Sequence, residues 1–343
     1  MNLAVWFLSR PPGEDNEMSD DLVIGGKTFK SRLILGTGRY RTMEDMVRDP
    51  DVDLVVTATV GDVALDPTIA AIEAGKNVAL ANKESVVMGG QLLTGLARKY
   101  DVELLPLDSE PNAIWQCLRG EDRAISKLII TASGGAFRNL DPRQLADVTP
   151  EQALNHPTWK MGPKITIDSA TMMNKAFEVI EAHWLFDVPW ENIEVVIHPQ
   201  SIIHSLVEFV DGSMKAQLSM PDMRLPIQYA LTYPERLGRQ ESVRRLDLVE
   251  MGDLTFEPLD EERFPCFRLA SHAARLGDTY PAVLNAADEE AVALFLDGRI
   301  PYLAIPTLIE ETLEHHKPVS APSLAELLEV DAWARQAVAL SGR

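Results

Sequence analysis

The feature that most constrains this sequence is a regular alternation of apolar runs and segments with helical periodicity between residues 53 and 107. Three short apolar runs, each the length of a β-strand, occur at residues 53–58, 77–81 and 102–107. Residues 67–74 and 85–99 lie between them and have apolar positions at helical spacing. This alternation predicts an α/β fold in which helices connect the strands of a parallel sheet.

The pattern changes after residue 107, where the sequence favours an α+β region. Strands are predicted at 127–131 and 194–197, a long helix over 169–186, and a hairpin that turns at Asp211-Gly212. From residue 260 onward only helical signals remain, including a capping box, Ser323 to Glu326, before the last helix. We therefore expect a C-terminal helical region.

The first fifty residues show a weaker organisation. Residues 13–21 are acidic and polar, and we expect residues 1–21 to form a mobile tail. A hairpin-like unit with a Gly25-Gly26 turn follows, and then a further apolar run and a short helix from Thr42.

Charge and composition exclude several classes of protein. The formal net charge is −20, which argues against nucleic acid or an anionic membrane as a partner because both require a basic surface. Cys117 and Cys266 lack the spacing of a zinc site, so free buried thiols are predicted. No run reaches the roughly 18 apolar residues of a membrane span, and the start does not resemble a signal peptide. We therefore expect a cytoplasmic protein.

Two carboxylates follow the third apolar run, at Asp108 and Glu110. Ligands bind outside the carboxyl ends of parallel strands, and an extended segment would point both side chains the same way. Carboxylates are preferred ligands of Mg²⁺ and Mn²⁺. The alternative interpretation is a solvated loop.

The predicted helix over 169–186 carries an apolar stripe and, beside it, a polar stripe that includes Asn174, Lys175 and Glu178. Asp168-Ser169 is predicted to lie at its N-terminus, where free N–H groups attract an anion such as a phosphate. The glycine turn Ser133-Gly134-Gly135 is a second candidate for a phosphate contact. An exposed polar helix face with a weak Lys–Glu pair is the simpler alternative.

The loop over residues 156–162 (HPTWKMG) combines aromatic and polar groups. A tryptophan in a loop usually anchors a small apolar cluster. A lid that excludes water from a reactive intermediate is the functional alternative.

Five segments, taken together, resemble the 1-deoxy-D-xylulose 5-phosphate reductoisomerase family in order and spacing. They are LANKES (80–85), LDSEPNAI (107–114), SGG (133–135), DSATMMNKAFE (168–178) and IHPQSIIHS (197–205). The resemblance implies NADPH-dependent rearrangement and reduction of 1-deoxy-D-xylulose 5-phosphate to 2-C-methyl-D-erythritol 4-phosphate, an isoprenoid precursor of the non-mevalonate pathway, by a homodimer.

The same resemblance implies roles for individual residues. The implied ligands of Mg²⁺ or Mn²⁺ are Asp108, Glu110 and Glu178, and the implied catalytic residues are Lys83, Glu110 and His156. Substrate contacts are implied for Lys83, Ser109, Glu110, Ser133, His156, Ser169, Asn174, Lys175 and Glu178, and cofactor contacts for Asn82, Glu84 and Gly162. Trp159 and Met161 match the loop that closes over the site.

The N-terminal part departs from this family. The Gly-rich turn that cradles the NADPH pyrophosphate has only Gly36-Thr37-Gly38 as a counterpart, and Arg41 stands where the dinucleotide-binding fingerprint requires glycine. Residues 22–46 instead resemble the opening of thiazole synthase. We interpret the chain as a chimera or deletion product with a junction near residues 48–51, in which NADPH binding is weakened.

These predictions divide the chain into a tail (1–21), a thiazole-synthase-like segment (22–50), an incomplete Rossmann-like NADPH-binding domain (51–107), a catalytic domain (108–235), a connector (236–259) and a C-terminal helical domain (260–343). Besides an active enzyme, two alternatives stay open. One is a remnant that dimerises and binds metal and sugar phosphate without turnover. The other is a chain made unstable by an open sheet edge.

Overall fold

The structure is a computed structural model that describes residues 42–342 except Val60, Arg123, Arg239 and Gln240, and also the backbone of four short strands before residue 42. Within this part of the chain, no helix has the length and apolar character needed to cross a membrane.

Strands and helices alternate through the first part of the chain and helices fill the last part. The strands are β1 (Val5–Leu8), β2 (Leu22–Ile24), β3 (Lys27–Phe29), β4 (Ile34–Leu35), β5 (Leu54–Thr57), β6 (Asn77–Leu80), β7 (Leu104–Pro106), β8 (Ile125–Ala132), β9 (Ile193–Ile197), β10 (Ile203–Phe209), β11 (Met214–Leu218) and β12 (Glu257–Pro258). The helices are α1 (Met43–Val47), α2 (Leu65–Glu73), α3 (Lys83–Tyr100), α4 (Ser109–Leu118), α5 (Pro150–Ala153), α6 (Pro163–Thr171), α7 (Met173–Phe186), α8 (Arg224–Thr232), α9 (Leu248–Met251), α10 (Pro265–Leu276), α11 (Tyr280–Leu296), α12 (Ala304–His315) and α13 (Leu324–Ser341).

The predicted parallel sheet is confirmed. β5, β6 and β7 run parallel and adjacent, with α2 and α3 as the crossover helices. The strands are short apolar segments, and their side chains Val55 and Val78 are fully buried against helix residues such as Leu65. This burial holds the carboxyl ends of the three strands at one edge of the sheet.

The edge of the parallel sheet at β5 is paired rather than open. β1 runs antiparallel to β5, and β4 pairs antiparallel with β1. The expectation of an open edge was therefore wrong at this strand, and the expectation of a tail over residues 1–21 was wrong for Val5–Leu8. The other residues of that predicted tail lie outside the described residues. β2 and β3 pair antiparallel, as the predicted hairpin requires.

A second sheet has the strand order β11-β10-β8-β9-β12. β8 and β9 are parallel and the other neighbours are antiparallel, which confirms the predicted α+β character. The hairpin between β10 and β11 turns at Asp211-Gly212, where Gly212 has a φ of 83°, a left-handed conformation that favours glycine.

The C-terminal region is helical from α10 onward, as predicted. The capping box is present at the start of α13, where the Ser323 hydroxyl accepts from the Glu326 N–H and the Glu326 carboxylate accepts from the Ser323 N–H. α11 packs against α12 and α13 and also against α3, so this region is joined directly to the helix that follows β6.

The predicted single helix over residues 169–186 is wrong. Two helices, α6 and α7, meet at Met172, which has a left-handed φ of 63°. Gly162 and Pro163 start α6 earlier than expected, because proline is favoured at the first helical position. Asp168 and Ser169 therefore lie near the C-terminal end of α6, not at a helix N-terminus.

The close approach of α3 and α7 depends on Gly90, and this predicts an effect on stability. A Cβ at Gly90 would lie 2.2 Å from Cδ1 of Trp184 on α7. We expect Gly90→Ala to lower the free energy of unfolding by about 1 to 3 kcal/mol, because the indole must move. Urea denaturation followed by circular dichroism measures this change.

Gly95→Ala on the same helix is the matched control, since no atom lies within 4 Å of the added Cβ. It should raise stability by about 0.5 to 1 kcal/mol through helix propensity. Equal effects of the two substitutions would contradict the packing argument.

Candidate active site

A cavity of about 630 Å³ lies where the carboxyl ends of the parallel strands meet the second sheet and the α6–α7 pair. All ten residues predicted to contact substrate or metal line it, and so do Trp159 and Met161 of the loop before α6. The ten are Lys83, Asp108, Ser109, Glu110, Ser133, His156, Ser169, Asn174, Lys175 and Glu178. Residues from five separate segments of the chain therefore face one space.

Three carboxylates converge at one side of this cavity. Asp108, Glu110 and Glu178 each offer an oxygen atom, and these atoms all lie within 4.8 Å of one another. Asp108 is the N-cap of α4 and Glu110 lies in its first turn, whereas Glu178 comes from α7. The expectation of an extended segment at residues 108–110 was wrong, because the Asp108 side chain accepts from the Ser109 N–H and the helix begins there.

Two buried lysines neutralise part of this negative charge. Lys83 Nζ lies 2.7 Å from Asp108 Oδ2 and 3.6 Å from Glu178 Oε1. Lys175 Nζ lies 2.9 Å from Glu110 Oε1 and 2.5 Å from Glu178 Oε2. Three carboxylates thus face two ammonium groups, which leaves one negative charge uncompensated when all five groups are ionised.

The electrostatics of the carboxylates differ. Burial, and then the charge of Glu110, raise the pKa of Glu178 to about 8. Burial acts in the same direction on Glu110, but Lys175 and His204 outweigh it and hold the pKa of that carboxyl well below its usual range. The three carboxylates and two lysines would therefore be stabilised by an additional cation. Carboxylate oxygens are hard ligands, which suit Mg²⁺ or Mn²⁺.

Another part of the cavity wall has groups suited to an anion. Ser133 ends β8 and precedes Gly134 and Gly135, whose φ angles of 87° and 70° confirm that this turn needs glycine. A Cβ at Gly135 would lie 2.3 Å from the Ser169 carbonyl oxygen, so the turn packs directly on the end of α6. Ser133 and Ser169 are thereby brought to the same wall.

The helix N-terminus nearest to these serines is that of α7, not the one predicted at Asp168-Ser169. Lys175 lies in the first turn of α7, and the Thr171 hydroxyl accepts from the Met173 N–H at 3.3 Å. The positive end of the helix dipole therefore acts from Met173 onward. Asn174 faces the carboxylates, because its amide donates to Glu178 at 2.6 Å and its oxygen accepts from Lys83 at 2.5 Å.

His156 connects the Ser133 wall to the loop before α6. Its Nδ1 accepts from the N–H groups of Thr158 and Trp159, at 3.1 and 2.9 Å, so in the neutral ring the proton is on Nε2, which faces Ser133 Oγ at 3.1 Å. Burial, and then the charge of Lys175, lower the pKa of His156. The neutral ring both shapes the loop and orients the serine.

The three residues predicted to contact the cofactor do not line this cavity. Asn82 is the N-cap of α3, and its amide donates to the carbonyl oxygens of Thr59 and Gly61, at 2.6 and 3.0 Å. Glu84 is buried in the first turn of α3, and Gly162 is the exposed N-cap of α6. Asn82 thus fixes the loop that follows β5.

Sequence reasoning missed several residues of the cavity wall. His204 is buried beside the carboxylates, and its Nε2 lies 3.0 Å from the Ser219 hydroxyl. Burial lowers the pKa of His204 although Glu110 opposes this shift. His204 belongs to the quoted IHPQSIIHS segment, where the histidine itself was the available signal. Met223, Ile227 and Leu231 also line the cavity, from around α8, a segment for which the sequence predicted no site.

Family comparisons match most of the chain. The 1-deoxy-D-xylulose 5-phosphate reductoisomerase family matches residues 17–90, its C-terminal domain family matches residues 104–186, and the DXP reductoisomerase C-terminal domain family matches residues 218–337. The first match spans both the segment 22–46 and the proposed junction at 48–51. The predicted thiazole-synthase origin of that segment has no support from these comparisons.

Individual relatives agree with the family matches. The chain is 59% identical to the 1-deoxy-D-xylulose 5-phosphate reductoisomerase of Geobacillus kaustophilus over 310 residues, which cover 90% of this chain and 81% of the relative. It is 56% identical to that of Heliobacterium modesticaldum, over 84% of this chain and 73% of the relative.

Solved structures of this family are also similar. The Zymomonas mobilis enzyme in complex with NADPH has 44% identity and a TM-score of 0.81, over 88% of this chain and 78% of that one. A DOX-P reductoisomerase in complex with NADPH, fosmidomycin and magnesium has 42% identity and a TM-score of 0.82 over the same shares. This chain therefore belongs to the 1-deoxy-D-xylulose 5-phosphate reductoisomerase family.

Proposed function

We propose that the chain catalyses the NADPH-dependent rearrangement and reduction of 1-deoxy-D-xylulose 5-phosphate to 2-C-methyl-D-erythritol 4-phosphate. It is an enzyme of the oxidoreductase and isomerase type, as its relatives are. The observation that carries the proposal is the convergence of Asp108, Glu110 and Glu178 in a cavity that also contains serines and lysines. A divalent cation and a phosphate ester are the ligands that such a combination suits.

The metal-binding residues are Asp108, Glu110 and Glu178. Their uncompensated negative charge and the raised pKa of Glu178 support a divalent cation, and relatives have been solved with magnesium. A magnesium ion held by these three carboxylates would supply Lewis-acid polarisation of the substrate's carbonyl and hydroxyl oxygens. Manganese is an alternative that the same oxygen ligands accept.

The substrate is held between two groups of side chains. Ser133, Ser169, Asn174 and Lys175 bind the phosphate, which the dipole of α7 also favours. Lys83, Ser109 and His156 contact the sugar, and Lys83 and His156, with Glu110, are the proposed catalytic residues. Lys83 Nζ lies within hydrogen-bond distance of Asp108, so the ammonium group is oriented by the metal ligands themselves.

NADPH is the hydride donor, which is supported by the solved structures of relatives in complex with NADPH. Asn82, Glu84 and Gly162 are the proposed cofactor contacts. The hydrogen bonds of Asn82 support its proposed role in cofactor binding. Its amide holds the loop after β5 through two hydrogen bonds, and this loop lies at the carboxyl edge of the parallel sheet, where ligands of such folds bind. Trp159 and Met161 line the cavity from the loop before α6 and exclude water when the loop closes.

The inactive remnant considered from the sequence is not favoured. Relatives named as reductoisomerases align with up to 90% of the chain, and the metal and substrate candidates all line one cavity. The thiazole-synthase resemblance contributes nothing to the proposed activity. The domain boundaries and a cytoplasmic location stay predictions.

A homodimer is the proposed assembly. β11 is an edge strand of the second sheet, and it exposes Met214 and Leu218, while Val210 at the hairpin is 72% exposed. An exposed edge strand with apolar side chains is suited to pairing with a second copy.

Glu178→Gln tests the metal site. The amide is nearly isosteric but provides a weaker metal ligand, so we expect kcat to fall by at least about a hundredfold at saturating magnesium. The fold should be retained, because burial already disfavours the charged form of Glu178. NADPH absorbance with purified protein, magnesium and 1-deoxy-D-xylulose 5-phosphate measures the rate.

Glu194→Gln, at an exposed ion pair with Lys127, is the control and should be fully active. Retained activity in Glu178→Gln would refute the ligand role of Glu178. No NADPH oxidation by the unmodified chain, even at millimolar cofactor, would refute the proposed function itself.

Ser169→Ala tests the phosphate wall. Loss of one hydroxyl that faces the cavity should raise KM for 1-deoxy-D-xylulose 5-phosphate about fivefold or more, with little change in kcat. Initial rates at varied substrate separate the two constants, and Ser126→Ala on β8 serves as the control. A change in kcat alone would argue against a binding role.

The proposed homodimer predicts that Met214→Glu combined with Leu218→Glu lowers the mass measured by sedimentation to that of one chain. The two carboxylates that this double substitution would bury on each copy oppose association. Val249→Glu, at a position 93% exposed, is the matched control and should leave the mass unchanged. A single-chain mass for the unmodified protein would contradict the dimer.

A further inference from the structure

A second buried charge cluster lies on α6, outside the residues that line the cavity. Lys164 is in the first turn of α6, and its Nζ lies 2.6 Å from Asp168 Oδ2 and 2.9 Å from Asp288 Oδ2 on α11. Asp168 is 2% exposed and Asp288 is 0% exposed. Among the described residues, Lys164 is the cation that joins both carboxylates, so it links α6 to the C-terminal helices.

The charges of this cluster depend on one another. Burial alone would lower the pKa of Lys164, but Asp168 and Asp288 outweigh it and raise that pKa. Burial raises the pKa of Asp168, and the neighbouring Asp288 raises it further. A buried charge without a partner is unfavourable, so α6 and α11 are held at the distance that keeps the ion pairs formed.

The other end of α6 is also attached to the C-terminal region. The buried hydroxyl of Tyr302, between α11 and α12, donates to the carbonyl oxygen of Ala170 at 2.9 Å. Phe137, just after the glycine turn, packs edge-on against the Tyr302 ring with centroids 5.2 Å apart. Both ends of this nine-residue helix are therefore fixed by residues that lie far away in the sequence.

The position of α6 determines the geometry of the substrate wall. Gly162 caps the helix directly after the loop that contains Trp159 and Met161, and Ser169 faces the cavity from its last turn. Gly135 has no room for a Cβ against the Ser169 carbonyl, so a displacement of α6 along or across its axis would also displace the Ser133 turn.

We propose that Lys164, Asp288 and Tyr302 are positioning residues, which fix α6 against the C-terminal helices and so place Ser169 and the closing loop for substrate binding. This inference rests on the proposed function. None of the three residues lines the cavity, so each acts through α6 and not by contact with substrate.

A neighbouring ion pair, which joins α11 and α13, provides a comparison. Arg335 on α13 lies 2.7 Å from Glu289 on α11 and forms two hydrogen bonds with Asp331, at 2.7 and 3.1 Å. These residues lie toward Gly61, where a Cβ would be 3.3 Å from the Glu289 carboxylate. Removal of Arg335 disturbs the C-terminal helices but leaves both ion pairs of Lys164 and the Tyr302 hydrogen bond to α6 in place.

The test uses Asp288→Asn and Tyr302→Phe, each of which removes one anchor with little change in volume. Lys164→Met is avoided because it leaves two buried carboxylates without a cation, and the chain can then fail to fold. Arg335→Gln is the matched control for general damage to the C-terminal region.

Two measurements are made on the full chain. In hydrogen exchange followed by mass spectrometry, Asp288→Asn and Tyr302→Phe should increase exchange in residues 163–172 at least about tenfold, while Arg335→Gln leaves that segment unchanged. In steady-state kinetics at saturating NADPH, the first two variants should raise KM for 1-deoxy-D-xylulose 5-phosphate about threefold or more and change kcat less than about twofold.

Unchanged exchange in residues 163–172 of both anchor variants would overturn the proposal, whatever the melting temperature. Equal increases in KM in the anchor variants and in Arg335→Gln would also overturn it, since the anchors would then be ordinary stabilising contacts. If the unmodified chain shows no turnover, the proposed function fails, but hydrogen exchange still decides whether these residues fix α6.

Discussion

The burial of three carboxylates against two lysines is the constraint on which the rest of the structure depends. Glu178 is 1% exposed and Lys175 5% exposed, and charges removed from water to this extent are unfavourable unless their partners are close. The partners come from the starts of α3 and α4 and from α7, so these three helices must be placed accurately relative to one another. Gly90 permits that approach between α3 and α7, and the short strands β6 and β7 deliver α3 and α4 to it.

Much of the site could be predicted because its residues occur in a few short segments. The carboxylates at 108 and 110 were identified from their place after a strand, and they meet Glu178 although the local conformation is a capped helix and not an extended chain. The three side chains converge because the carboxyl edge of a parallel sheet collects such residues in either conformation.

Other features could not be predicted because their causes are distant in the sequence. The break at Met172 leaves no local signal, since methionine has no preference for a left-handed conformation, and it is fixed by packing around the α6–α7 junction. The contact of Lys164 with Asp288 joins residues in separate helices, and neither residue has a neighbour in sequence that indicates the pairing. The pairing of β1 with β5 is likewise a long-range contact between short strands.

The left-handed joint at Met172 has a consequence for the selection of substrates by length. Ser169, proposed for the phosphate, is on one side of this joint, and Glu178, proposed for the metal, is on the other. The distance from Ser169 to Glu178 depends on the angle between the two helices, whereas Asn174 and Lys175, also proposed for the phosphate, lie on the same helix as Glu178. A ligand that contacts Ser169 and the carboxylates together must match that distance, so a change in the angle at Met172 would alter which sugar phosphates reach both.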